Sequence, residues 1–163
     1  MGIDLSVSLN WSKKEEFYEL YNFYLMAKRD KMIDEFIELY PSFNDSEYLF
    51  YIFTLDDELI YLGKTRIDTT IINRWFNQKH NKIREMMLYY PPPNAILVSG
   101  ANITYINSYK RKNFLDTIQK ALIWKFEPRL NVRSKNSFST TVGSIRIRNT
   151  GDCLPIHNFS INF

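Results

Sequence analysis

Residues 48–62 decide how the chain is read. They run Tyr48-Leu49-Phe50-Tyr51-Ile52-Phe53-Thr54, then Asp56-Asp57 as a break, then Leu59-Ile60-Tyr61-Leu62. Both runs are crowded with aromatic and β-branched residues and the break carries turn formers, which predicts a β-hairpin. Upstream the apolar residues follow a different period. Ser12 with Glu15 and Glu16 is a helix-start pattern, and Phe17, Leu20, Tyr21, Tyr24, Leu25, Met32, Phe36, Ile37 and Tyr40 recur at helical spacing up to Pro41. One long amphipathic helix, or two, is expected there, with residues 1–45 forming an N-terminal helical segment.

Downstream, Ile72, Trp75, Phe76, Ile83, Met86, Met87 and Tyr90 return to helical spacing until Pro91-Pro92-Pro93. Residues 95–98 and 103–106 read as strand. Phe114, Leu115, Ile118, Ala121, Leu122 and Phe126 make the cleanest helical stripe, closed by Pro128, and Ile145-Arg146-Ile147-Arg148 alternates like an edge strand. Trp75 and Trp124 fall on the helical stripes and are expected in the core. The order predicts a small α/β domain with a short, mostly antiparallel sheet flanked by helices. Its core would span residues 46–132, and residues 133–163 would pack on it as a C-terminal extension.

Composition narrows the function. The 163 residues suit one domain, and 45% apolar against 24% charged residues allows a real core. No run approaches the twenty apolar residues of a membrane span, and the start lacks a basic region followed by an apolar run, so a soluble, cytoplasmic protein is expected. Its Met-Gly-x-x-x-Ser pattern is one that many unmodified chains share. One cysteine, Cys153, and two histidines, His80 and His157, argue against a disulfide framework or a cysteine- or histidine-based metal site. The net charge of +3 hides a polarity: residues 1–60 sum to −8, residues 61–109 to +4 and residues 110–148 to +8. A basic face of this kind takes polyanions, or neutralises the acidic segment in the fold.

Candidate chemistry is sparse. Gly63-Lys64-Thr65 follows a strand, but a phosphate loop needs a glycine where Glu58 stands. Asp56, Asp57 and Glu58 are ordinary turn residues. What remains is a spaced set: Tyr61-Leu62-Gly63-Lys64-Thr65 ending the hairpin, Arg74 on the next helix, and Gln119, Leu122-Ile123, Pro128 and Asn131 further on.

This set resembles the GIY-YIG nuclease family across residues 47–132. Tyr48 to Phe53 is similar to the family's first strand, Tyr61-Leu62-Gly63 to its YIG element, and Arg74 falls where the family has its helix arginine. The Gln119–Asn131 stretch is similar to its E-x-x-L-I-(x)4-P-x-x-N segment at every position but the first. The resemblance implies phosphodiester hydrolysis with Mg²⁺ or Mn²⁺, catalytic roles for Tyr61, Lys64, Arg74 and positions 50 and 119, and metal binding at position 119. Two of these positions depart from the pattern. Phe50 lacks the family's tyrosine hydroxyl, and Gln119 replaces the metal-binding glutamate with a neutral amide, a poor ligand for Mg²⁺. The site is therefore naturally degenerate, or an active variant using Tyr48 or Tyr51 and an acid such as Glu127, or engineered at position 119. Gln78 stands where some members have a histidine.

Nucleic acid, DNA ahead of RNA, is the partner the resemblance implies. Lys110, Arg111, Lys112, Arg129 and Arg133 are candidate phosphate contacts. The alternative is a non-catalytic module binding nucleic acid, a nucleotide, a protein partner or a second copy of itself. Asn131, after Pro128, is expected to fix a turn.

Overall fold

The hairpin closes as expected: Tyr48–Leu55 forms β3, Glu58–Lys64 forms β4, and Leu55 pairs with Glu58. Asp56 and Asp57 take φ values of +51° and +61°, the paired left-handed geometry that two-residue hairpin turns use and that aspartate tolerates. Phe53 pairs with Tyr61 and Thr54 with Leu59, so Ile60 is bulged out between them.

The computed structural model describes residues 3–66, 68–77, 81–105, 112–132 and 142–163. It is a mixed α/β structure built on one seven-stranded sheet. The other strands are β1 (Ile3–Trp11), β2 (Glu15–Glu16), β5 (Leu97–Tyr105), β6 (Val142–Gly151) and β7 (Phe159–Asn162). Their order is β4-β3-β5-β1-β6-β7, with β2 paired beside β5. Every pairing is antiparallel except that of β1 with β6.

Helices cover the β4-β3-β5 half on both faces. On one side lie α1 (Phe17–Arg29), α2 (Ile33–Leu39), a 3₁₀ turn (Pro41–Asn44), α3 (Ile71–Asn77) and α4 (Asn81–Tyr89). Their Phe17, Phe36, Phe43, Trp75 and Met86 pack with Tyr51, Phe53 and Tyr61 from the sheet. On the other side α5 (Lys112–Phe126) packs Leu115, Ile118 and Leu122 on Phe50, Ile52 and Leu62, and extends that core to Leu5, Val7 and Ile147. β3 is thus buried on both faces, which is why its sequence is a continuous apolar run rather than an alternation.

Several expectations need correction. The N-terminal segment is not helical throughout. Its first described residues form β1 in the middle of the sheet, with Leu5, Val7, Leu9 and Trp11 buried and Asp4, Ser6, Ser8 and Asn10 on the opposite face. The helix starts at Phe17 rather than near Ser12, because Glu16 is the cap and accepts from the Glu19 N–H at 2.6 Å. Ser12 instead joins β1 to β5 through Gly100. Of the two alternatives left open for the helical stretch, the structure has two helices, separated by Lys31 at φ +58°. β6 is not an edge strand, since β1 and β7 flank it, and the sheet is larger than the short one expected. Trp75 is core, but Trp124 is 37% exposed on the outer side of α5.

Candidate functional site

β4 is an edge strand, so its side chains can reach around the sheet margin toward helices on both faces. Lys64 pairs with Phe50 on the α5 side, and Tyr61 pairs with Phe53 on the α3 side. The two side chains meet in a cleft of about 260 Å³ lined by Tyr61, Lys64, Thr65, Arg66, Arg74, Asp116 and Gln119. Four residues that the sequence pattern singled out, from β4, α3 and α5, are therefore brought to one place: Tyr61, Lys64, Arg74 and Gln119.

The cleft floor is rigidly made. Gly63 is required by close approach, because a Cβ there would lie 2.1 Å from Cζ of Tyr51. The Tyr51 ring crosses under the strand, edge-on to Trp75 at 5.4 Å between ring centroids, and its hydroxyl bonds that of Tyr61. Burial pushes the Tyr51 hydroxyl well above the ordinary tyrosine range. Burial also pushes Tyr61 up, to about 12, against the opposing pull of the Arg74 guanidinium and the Tyr51 hydroxyl. At neutral pH Tyr61 is thus a neutral hydroxyl that can give or take a hydrogen bond, and not a phenolate base. Beside it, the Thr65 backbone N–H donates to Leu49 at 2.8 Å. The Thr65 side chain is 1% exposed, and its Oγ1 finds no hydrogen-bond partner among the described residues.

At the edge of β4, Asn131 does more than fix a turn. Its side chain accepts from Leu62 N–H at 2.9 Å and donates to Leu62 carbonyl at 3.0 Å, which satisfies a strand edge that has no neighbouring strand. The Arg129 and Leu130 backbone N–H groups bond Leu59 and Ile60 in the same way.

Asp116, which the sequence reading missed, is the acid at the cleft. It stands three residues before Gln119, on the same face of α5, and pairs with Lys64 at 2.9 Å. That i, i+3 spacing from Gln119 was the available signal. A second, adjoining chamber of about 610 Å³ shares Tyr61, Asp116 and Gln119 and adds Lys82, Lys120, Ile123, Asn131 and Val132. Lys82 is paired with Glu85 at 3.0 Å. Among the described residues lining the two chambers, five are cationic and Asp116 alone is anionic.

This donor set does not fit a divalent cation. Its carboxylate is held by an ammonium, Gln119 is neutral, and the surrounding charge is positive. No group of three or more metal-ligating side chains occurs among the described residues.

Other candidates lie elsewhere. Phe50 is fully buried in the core under α5 and lines neither chamber. Tyr48 is half-buried against the α1 side of the sheet. Glu127 lies at a separate hollow with Asp57, Glu58 and Arg129. Arg129 is bound to Glu58 and donates to the Tyr90 hydroxyl at 2.7 Å, so its charge is spent away from the cleft. Gln78, His80, Lys110, Arg111 and Arg133 lie outside the described residues, as does the side chain of Lys112. His157 faces Phe126, and burial pushes the Cys153 thiol up, away from nucleophilic use.

Comparison with family models, with curated proteins and with solved structures finds no match to this chain. No helix among the described residues is long and apolar enough to cross a membrane.

Proposed function

We propose that the cleft at the β4 edge holds a phosphate of a nucleic acid, and that the protein is a binding module on a GIY-YIG-like scaffold rather than an efficient nuclease. The observation that carries this reading is the convergence of Lys64, Arg66 and Arg74 on one hollow that Tyr61, Thr65, Asp116 and Gln119 complete, the Thr65 hydroxyl being buried with no partner among the described residues. A buried hydroxyl without a partner costs stability, on the order of 1–3 kcal/mol, which a bound oxyanion would offset. Three cations around it are the charge-assisted donors that phosphate oxygens take.

Hydrolysis would need more. Tyr61 stays protonated at neutral pH, Phe50 brings no hydroxyl, and Gln119 offers no carboxylate for a metal.

The test is fluorescence anisotropy of a labelled DNA oligonucleotide, beside a cleavage assay with Mg²⁺ or Mn²⁺. The intact protein should bind in a salt-sensitive way and leave the strand whole. Arg74→Ala and Thr65→Val should each weaken binding about tenfold or more, as loss of one charged or buried hydrogen bond does. Binding that ignores both substitutions would overturn the proposal, and metal-dependent cutting by the unaltered protein would replace the binding module with an enzyme.

A further inference from the structure

Resting on the phosphate reading above, we infer that the second chamber takes the nucleoside attached to that phosphate, so that the ligand is an unpaired nucleotide rather than a paired duplex. The two chambers differ in size and lining. The first, about 260 Å³, is walled by charge and suits a single phosphate group. The second, about 610 Å³, lies in the range of small-molecule sites and has an apolar wall of Ile123 and Val132 beside Lys120.

A duplex offers its phosphate ridges and the edges of its bases in the grooves, but keeps each base stacked and paired, so no whole nucleoside can enter the second chamber. An unpaired nucleotide, in a single strand or at a frayed end, fills both chambers at once. Gln119 stands at their junction, and its side chain makes no hydrogen bond among the described residues. A glutamate there would repel the phosphate. An amide does not, and presents both a donor and an acceptor to the edge of a nucleobase.

Three probes test this: inorganic phosphate, a ten-nucleotide single-stranded DNA, and the same sequence as a blunt duplex. Each is titrated into the protein with affinity read by calorimetry and the methyl signals of Ile123 and Val132 read by NMR. The single strand should bind at least tenfold more tightly than the duplex. It should shift both methyl signals, which inorganic phosphate should leave in place.

Equal affinity for single strand and duplex, with the methyl signals unmoved by either, would overturn the inference while leaving the phosphate reading intact. Failure of all three probes to bind would overturn both.

Discussion

The two halves of the sheet obey different rules. β4, β3 and β5 are covered by helices on both faces, and β3 is apolar along its whole length. Among the described residues, β1, β6 and β7 are covered by helix on one face only. Their other face is polar, with Ser6, Ser8, Asn10, Arg146, Arg148 and Ser160 exposed or half-buried. Both regions carry arginine beside a hollow: about 260 Å³ at the β4 edge, and about 270 Å³ on β6 and β7, where Arg146 and Arg148 stand with Asn158, Phe159 and Ser160. The second hollow is the more open of the two and draws only on β6, β7 and the residue before β7. At the first, an edge strand between helices brings Lys64 of β4, Thr65 just after it, Arg74 of α3 and Gln119 of α5 to one hollow. Charge and concavity alone therefore do not distinguish the two; the convergence of side chains from three elements does.

The largest expected contrast is in stability. Phe53→Ala, in the doubly covered half, should cost about 3–5 kcal/mol in urea denaturation, whereas Arg146→Ala on the open face should change it by about 0.5 kcal/mol or less. Equal costs would break the comparison.

Next come the two supports of the β4 edge. Asn131→Ala strands the Leu62 N–H and carbonyl and should cost about 1–3 kcal/mol. Gly63→Ala should cost a similar amount, about 1–3 kcal/mol, through overpacking on Tyr51. Combining Gly63→Ala with Tyr51→Leu should cost less than the sum of the two, because they share one contact.

A smaller effect is the alkaline limb. Tyr61 is held neutral by burial, with its value raised from 10.0 to about 12, so the stability it contributes is fully present below pH 10. It is lost as pH rises from about 10 to about 12, a loss that Tyr61→Phe should reduce when denaturation is followed against pH.

How far the sequence could be read follows from the same contrast. The hairpin, α5 and the spaced set Tyr61, Lys64, Arg74 and Gln119 were legible because each follows a local pattern: aromatic runs, a turn pair, a clean helical stripe. β1 is hard to see within residues 1–45, although Ile3, Leu5, Val7, Leu9 and Trp11 alternate strictly with polar residues, because the longer helical pattern from Phe17 to Tyr40 dominates that segment. The alternation of Ile145-Arg146-Ile147-Arg148 marks a strand but does not say whether it lies at an edge. Alternation reports one solvent face, not a missing neighbour, and β6 has neighbours on both sides. Asp116, Lys82 and Lys120 were missed because a sequence does not show which surface charges a cleft will gather. Asn131 looked like a turn residue because its partner, Leu62, lies 69 residues away.

The most direct test of the central claim compares the cleft with the open face. Affinity for a labelled single-stranded oligonucleotide would be measured against salt for the intact protein, for Lys64→Ala/Arg66→Ala/Arg74→Ala, and for Arg146→Ala/Arg148→Ala. The account predicts that the triple cleft variant loses about a hundredfold or more in affinity and has a shallower salt slope, while the open-face variant changes less than about threefold. A larger loss from the open-face pair than from the cleft triple would contradict it, and would move nucleic-acid binding to β6 and β7.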